Sequence, residues 1–329
     1  MELQAVREIT RSTNGINGHG NITSSSKQFI EANTLDVSLY HLRHDCIIPV
    51  FSRDNESTIS HQEFIETVQE CTQTVFPAER IQAPELRVSH VVKGRIPEAI
   101  GKPAKDLLDN EKTVYYERAA FILEVPSIRN VINENTLNLT IGGVRAYNNE
   151  NLYGKKSMEK FKVFIGFKNM VCCNLCVSTD GFAAEIKAST IDELRTRVIA
   201  LLQGYNIAQH LSEMSTFGDY EMSEHQFAQF LGKARLYNFL PKRQKQHIPL
   251  LELNDGQIST VARAYYEDED FASAANGGIN LWKMYNLFTG ATKSSYIDTF
   301  VERTVNAHQL TNGFVQALDG IGEYKWFLE

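Results

Sequence analysis

The chain reads as an α+β protein: a curved, mainly antiparallel sheet in the N-terminal half packed with C-terminal helices. Two observations carry this expectation. Up to about residue 187 apolar residues recur with period two, between Gly, Asn and Pro, which is the pattern of strands. After residue 188 the period becomes helical. Strands first and helices later argue for α+β rather than alternating βαβ units. No Pro/Gly/Ser-rich linker separates the halves, so residues 34–187 and 188–329 are expected to share one core.

Residues 1–33 are polar, with Asn14-Gly15, Asn17-Gly18 and Ser24–Ser26. They offer too little apolar surface to offset ordering entropy and are expected to form a mobile tail, with a short helix at Glu2–Arg11. Strand-like runs follow at Cys46–Phe51, Arg87–Val91, Tyr115–Val125, Leu137–Ile141, Phe161–Ile165 and Val171–Val177. One helix interrupts them, because Phe64, Ile65, Val68, Cys71, Thr72 and Val75 recur at helical spacing. Thr190-Ile-Asp-Glu193 is a capping box, and Ile191 to Leu211 then lay one apolar stripe. Ser223-Glu-His-Gln226 is a second box, opening a helix that Pro241 ends. Further helices are expected at about 256–266, 279–289 and 295–318.

With 329 residues the chain suffices for one large domain or two ordinary ones. Hydrophobic residues at 43% and charged residues at 22% match a soluble globular protein. No apolar run approaches the roughly 18 residues of a membrane span, and no signal-peptide pattern opens the chain. A cytoplasmic protein with no membrane partner is therefore expected, its five irregularly spaced cysteines reduced. A net charge of −7 excludes a wholly basic nucleic-acid binder but not a local basic face.

The best functional lead is a stretch without acids between Glu224 and Glu252. It carries Lys233, Arg235, Lys242, Arg243 and Lys245, with Phe230, Tyr237 and Phe239 interleaved. Cations for phosphates beside rings for bases are what single-strand binding uses. Lys233, Arg235, Tyr237, Lys242, Arg243 and Lys245 are the candidate nucleic-acid contacts, against the alternative of a solvated helix with buried rings. A second basic region comprises Lys155, Lys156, Lys160, Lys162 and Lys168.

Two further segments hold candidate ligand-binding residues. In Gly166–Gly181, Cys172, Cys173 and Cys176 crowd beside Asn174 and Asp180. A closed zinc site needs four ligands and no second Cys pair exists, so structural thiols with no metal or other cofactor are the reading. Read as a strand, the segment turns Cys172, Asn174 and Cys176 to one side. Gly278–Asp298 offers Asn286, Lys293, Ser294 and Ser295. It lacks the spacing of a phosphate-binding P-loop, and Trp282, Tyr285 and Phe288 have core spacing. Gly290 reads as a helix exit and Ser294 or Ser295 as the next N-cap. Lys293 would then face an unfavourable dipole, which calls for an anion: a carboxylate such as Asp298, or a bound phosphate.

Several stretches carry a family resemblance. They include LRVSHVVKGRIPEA from Leu86, KTVYYERAAFILEVPSI from Lys112, GGVRAYNNENLYGKK from Gly142 and INLWKMYNLFTGATKSSYIDTF from Ile279. Over roughly residues 30–329 the chain resembles an uncharacterised family of bacterial mobile-element proteins, registered only as a domain of unknown function. It is more loosely similar to phage/plasmid-like proteins of unknown function, through Cys172–Asn174 and Tyr285–Thr289. The resemblance implies no catalytic residues. With the basic stretch, it implies a non-enzymatic protein that binds single-stranded nucleic acid during element maintenance or transfer. Two alternatives stand beside it: an interaction or anti-defence protein acting on host or phage proteins, and an enzyme whose site gathers Asn174, Asp180 and Lys293.

Overall fold

The structure is a computed structural model that describes residues 27–46, 58–99, 101–147 and 158–329. The helix expected at Glu2–Arg11, most of the run Cys46–Phe51 and the pair Lys155 and Lys156 lie outside the described residues.

Eleven strands are described: β1 (Leu35–Asp36), β2 (Glu85–Val88), β3 (Val91–Arg95), β4 (Lys112–Tyr116), β5 (Arg118–Ile132), β6 (Asn135–Ala146), β7 (Glu159–Asn169), β8 (Leu175–Cys176), β9 (Phe182–Ala188), β10 (Glu221–Met222) and β11 (Ile279–Asn280). Seven form an antiparallel, curled half-barrel in the order β1-β2-β5-β6-β7-β8, with β9 also paired to β7. The helices are α1 (Leu39–His44), α2 (His61–Val75), α3 (Ile191–Gly204), α4 (Ile207–Thr216), α5 (Glu224–Phe239), α6 (Lys242–Lys245), α7 (Asp255–Glu267), α8 (Leu281–Thr292) and α9 (Phe300–Leu318). The α+β expectation holds, with the sheet in the N-terminal half and most helices in the C-terminal half.

The hairpin β5–β6 organises the sheet. Its loop is Asn133-Glu134, both at positive φ (45° and 66°), the twist-matching geometry of a two-residue hairpin. The register shifts between Val125 and Arg129, where Pro126 has no N–H for the ladder. Along β6 every residue from Leu137 to Ala146 is buried. One face of the sheet, with Phe121, Leu123, Leu139, Ile141 and Val163, packs into a core that also contains Phe64 and Val68 of α2 and Trp282, Tyr285 and Phe288 of α8. The other face, with Ala120, Ile122, Val144 and Phe164, is covered by Phe29, Ile30, Phe300 and Val301. Gly142 and Gly143 sit where the rings close in. A Cβ on Gly143 would lie 2.6 Å from Phe64 Cζ, and one on Gly142 would run into the Phe164 ring.

Four expectations need correction. The tail assigned to residues 1–33 is not free throughout, since Phe29 and Ile30 are buried and Glu31 and Ala32 donate backbone hydrogen bonds to the Lys293 carbonyl. Two large apolar residues in a polar segment join the start of α9 in covering that sheet face. The stripe from Ile191 to Leu211 is two helices, because Tyr205 is extended after Gly204 and Asn206 starts α4 by accepting from Gln209 N–H. Val171–Val177 is mainly a tight turn rather than a strand: Cys173 has φ 59°, its N–H bonds Asn169 O, and only Leu175–Cys176 pair with β7. Helix α8 runs through Gly290 to Thr292, and the residue preceding α9 is Thr299, not Ser294 or Ser295.

We propose that the sheet portion and the helical portion unfold as one unit. Both tryptophans, Trp282 and Trp326, lie in the helical half, so their fluorescence reports it. Phe64→Ala in α2 should cost about 3–5 kcal/mol. It should lower the denaturation midpoint seen by tryptophan fluorescence and by far-UV circular dichroism together. Two separate transitions, with only the second unchanged by the variant, would contradict one unit.

Candidate functional site

The acid-free stretch folds as α5 and α6, joined at Leu240-Pro241. Ser223 and Gln226 satisfy each other's orphan groups as a capping box, so the start of α5 follows from local chemistry. Its apolar stripe, Phe227, Phe230, Ala234 and Tyr237, faces the core. Burial removes Tyr237 from the set of rings open to a ligand. Three of the cations are also engaged within the chain. The Lys233 ammonium lies 4.7 Å from the Trp326 ring centroid, Arg235 pairs with Asp255 at 3.3 Å, and Lys245 sits 4.7 Å from the Tyr237 ring.

Lys242 and Arg243 remain. Both are exposed and neither forms an ion pair with a described residue. Beside them stands a ring that was noted only as interleaved: Phe239, 83% exposed at the end of α5. Leu236, one turn before Phe239 on α5, is exposed too, as is Leu250 beyond α6. The second basic region behaves differently. Lys160 pairs with Glu185 at 2.6 Å, Lys162 with Glu302, and Lys168 with Glu124 at 2.7 Å and Glu85 at 3.1 Å. Lys160 and Lys162 line a cleft of about 240 Å³ on the sheet, opposite Glu185 and Asp298, so its charge is mixed.

The candidate ligand residues of the two other segments form an interior junction. Asn286 on α8 accepts from Asn169 of β7 at 3.0 Å, and its backbone carbonyl accepts from Asn174 at 2.9 Å. The Cys172 thiol donates to Asn286 Oδ1 at 3.6 Å. Lys293 is buried at the C-terminal end of α8, where the dipole favours a cation; the expected conflict with a following N-terminus does not arise. Its ammonium donates to the Cys172 carbonyl at 2.5 Å and lies 3.6 Å from Glu31, which replaces Asp298 as the carboxylate partner. Ser294 donates to Ala291 O, and Ser295 accepts from Gln257 and Arg303. Asp180 is exposed and accepts from Ser178 and from the Asn206 N–H. Asn174 and Lys293 are thus brought together around Cys172, whereas Asp180 is bound to the start of α4.

All five cysteines are free thiols. Burial pushes the Cys172 thiol up to about 11, and Cys176 is pushed up still further in the core. No group of three or more His, Cys, Asp or Glu among the described residues is placed to hold a metal.

Sequence reasoning missed two clusters, each completed by a residue distant in sequence. In the core, Tyr205 O–H bonds His210 Nδ1 at 2.6 Å, the His210 and His308 rings lie 4.8 Å apart, and His308 Nε2 is 3.4 Å from Glu213. Tyr285 packs against His308, and Asp180 adds its field. Burial holds His210 far below its ordinary range and His308 down at about 4, although Glu213 pulls the latter upward. Beside β4, His41 touches Asp45, Tyr116 and Cys46.

The family model described as "Domain of unknown function, B. Theta Gene description (DUF3871)" matches residues 10–328. The chain belongs to this family. The match carries no statement about mobile elements or nucleic acid. No curated protein and no solved structure matches the chain. No helix among the described residues is long and apolar enough to cross a membrane.

Two predictions follow from the interior groups. Lys293→Met removes the donor to the buried Cys172 carbonyl and should cost about 1–3 kcal/mol. Limited proteolysis should then cut earlier near residues 27–33; an unchanged melting temperature and digest would remove Lys293 from the structural account. The buried histidines predict acid lability with a defined sign. His210 and His308 bind protons less readily folded than unfolded, so their neutral burial is tolerated above pH 6.5. Stability should fall as pH drops from about 6.5 towards 4, by up to about 1.4 kcal/mol per pH unit for each proton taken up on unfolding. His308→Gln should flatten that slope, measured by urea denaturation across pH; an identical slope would show that His308 titrates alike in both states.

Proposed function

We propose that this chain binds single-stranded nucleic acid through the α5–α6 face, in the maintenance or transfer of a mobile element. One observation carries the reading: Phe239 is 83% exposed next to Lys242 and Arg243, two exposed cations unpaired among the described residues. An exposed ring costs solvation and gives nothing to the core, whereas it supplies a π-face on which any base can stack. The neighbouring cations neutralise phosphates, and the absence of acids from 225 to 251 keeps the local field positive on a chain of net charge −7. The contact set is narrower than the sequence implied. Lys245 ties α6 to α5, Lys233 lies over Trp326 near the C-terminus, Arg235 pairs with Asp255 of α7, and Tyr237 is core. The mobile-element setting rests on the sequence resemblance.

A second reading has its own support. Leu236 at 60% and Leu250 at 55% exposure add aliphatic surface that bases do not require and a protein partner would cover. For the enzyme alternative, Asn174 and Lys293 make buried hydrogen bonds and Asp180 accepts from the Asn206 N–H.

Fluorescence anisotropy with a labelled oligothymidylate separates the first two readings. Affinity should fall with salt, with log K against log salt sloping by about −0.7 per phosphate contacted. Reversing Lys242 and Arg243 to Glu should flatten the slope by about 1.4, two contacts at 0.7 each. Phe239→Ala should weaken binding by about 1–3 kcal/mol and leave the melting temperature unchanged. Binding that ignores all three substitutions would discard this face as the nucleic-acid contact.

A further inference from the structure

A compact constellation of polar side chains lies outside the proposed interface. Ser38 caps α1 by accepting from the His41 N–H, and Asp45 closes the helix with its own N–H on the His41 carbonyl. One turn therefore sets His41 and Asp45 side by side: His41 Nδ1 is 2.8 Å from Asp45 Oδ2. A carboxylate on one ring nitrogen fixes the proton there and leaves the other nitrogen as an acceptor. That acceptor, Nε2, is 3.0 Å from the Tyr116 hydroxyl and 3.8 Å from Cys46 Sγ. Tyr116 comes from β4, and Cys46 bridges to Val114 of the same strand, so this strand, paired with β3 in a separate two-stranded sheet, brings phenol and thiol to the imidazole. Cys46 is half-buried, whereas Cys71, Cys172 and Cys176 are buried.

We propose that Cys46, His41 and Asp45 form a nucleophilic thiol site that takes an acyl group from a thioester, with Tyr116 as donor to the carbonyl oxygen. The Cys46 sulfur adds to the carbonyl carbon while its proton passes to His41 Nε2. Asp45 stabilises the imidazolium that forms. Nε2 has a single lone pair, so the Tyr116 O–H must turn from it to the carbonyl oxygen as the thioester enters, which opens Nε2 to the thiol proton and supplies the donor for the oxyanion. The tetrahedral intermediate collapses, the bond from carbon to the departing sulfur breaks, and the proton on Nε2 goes to the leaving thiolate. The products are acyl-Cys46 and a free thiol, with no change of oxidation state.

Three features shape this assignment. Burial, reinforced by the Asp45 carboxylate, pushes the Cys46 thiol up to about 12, so the resting group is protonated and needs a base beside it. Burial likewise pushes Tyr116 up to about 12, which keeps it an O–H donor. A single such donor suits a thioester, whose thiolate departs readily, better than an amide, whose amine must be protonated first.

The test uses the full chain and a small aryl thioester, followed by peptide mass mapping of the five cysteines. The expected result is acylation of Cys46 ahead of Cys173, the other partly exposed thiol. His41→Ala should slow acylation of Cys46 at least ~100-fold while leaving that of Cys173 unchanged. Asp45→Asn, which preserves shape but not the charge behind the imidazole, should slow Cys46 selectively as well; it decides the matter if His41→Ala fails to fold. Equal acylation of Cys46 and Cys173, no acyl-Cys46, or a Cys46 rate unchanged in Asp45→Asn would overturn the proposal.

Discussion

Burial of β6 on both faces is the constraint on which the rest of the structure depends. From Leu137 to Ala146 every residue is buried, so neither face of the sheet centre is available as a surface. An antiparallel sheet normally covers one face and wets the other. Here α2 and the C-terminal helices cover one side, and the start of α9 with Phe29 and Ile30 covers the other. The halves that differ in periodicity are thereby bound to a common interior. The two glycines of β6 are part of the same requirement, because a ring closes on each of them from opposite sides.

Such a junction buries polar groups as well as apolar ones, and their hydrogen bonds decide what they do. Asn169, Asn174, Asn286 and Lys293 knit β7, the turn before β8 and α8 together. Each would be costly to leave unpaired and has a partner, which makes the network a device for register rather than a receptor. Arg145 follows the same logic: it is fully buried, paired with Glu159, and lies over the Tyr147 and Phe161 rings at 4.6 and 4.5 Å. His61, stacked on Tyr147, is pushed down to about 3 by burial and by that guanidinium. With the interior occupied in this way, the two sites we propose lie at the periphery, at the α5–α6 junction and beside α1.

The α+β order, the N-cap of α3, the capping box of α5 and the stripe of α2 were legible because each is set by short-range pattern. At α3 only half of the expected box forms: Thr190 accepts from the Glu193 N–H, but the Glu193 carboxylate accepts from the Ser189 N–H rather than from that of Thr190. The limits of legibility are equally physical. Val171–Val177 has strand-like composition, yet Asn169 accepts the Cys173 N–H and turns the chain. Ser294 and Ser295 look like caps, but α8 continues past Gly290 and their hydroxyls answer to Ala291, Gln257 and Arg303. For the candidate interface, charge and aromatic content were readable, but not which face of α5 would be buried. Tyr237 and Phe239 are two residues apart and end on opposite sides of the boundary, one in the core and one in water. His41, Asp45 and Cys46 had a local signal, the i,i+4 pair of His41 and Asp45, but Tyr116 joins them from a distant strand; His210 and His308 had none, being nearly a hundred residues apart.

The central claim is that the fold reserves its interior for cohesion and presents one dedicated contact face at α5–α6. Hydrogen–deuterium exchange with and without a saturating oligothymidylate tests it most directly. Slower exchange confined to peptides spanning residues 236–247, with the sheet and α8 unaltered, is the predicted result. Protection centred on β7 and the cleft at Lys160 and Lys162, or no protection anywhere, would contradict it.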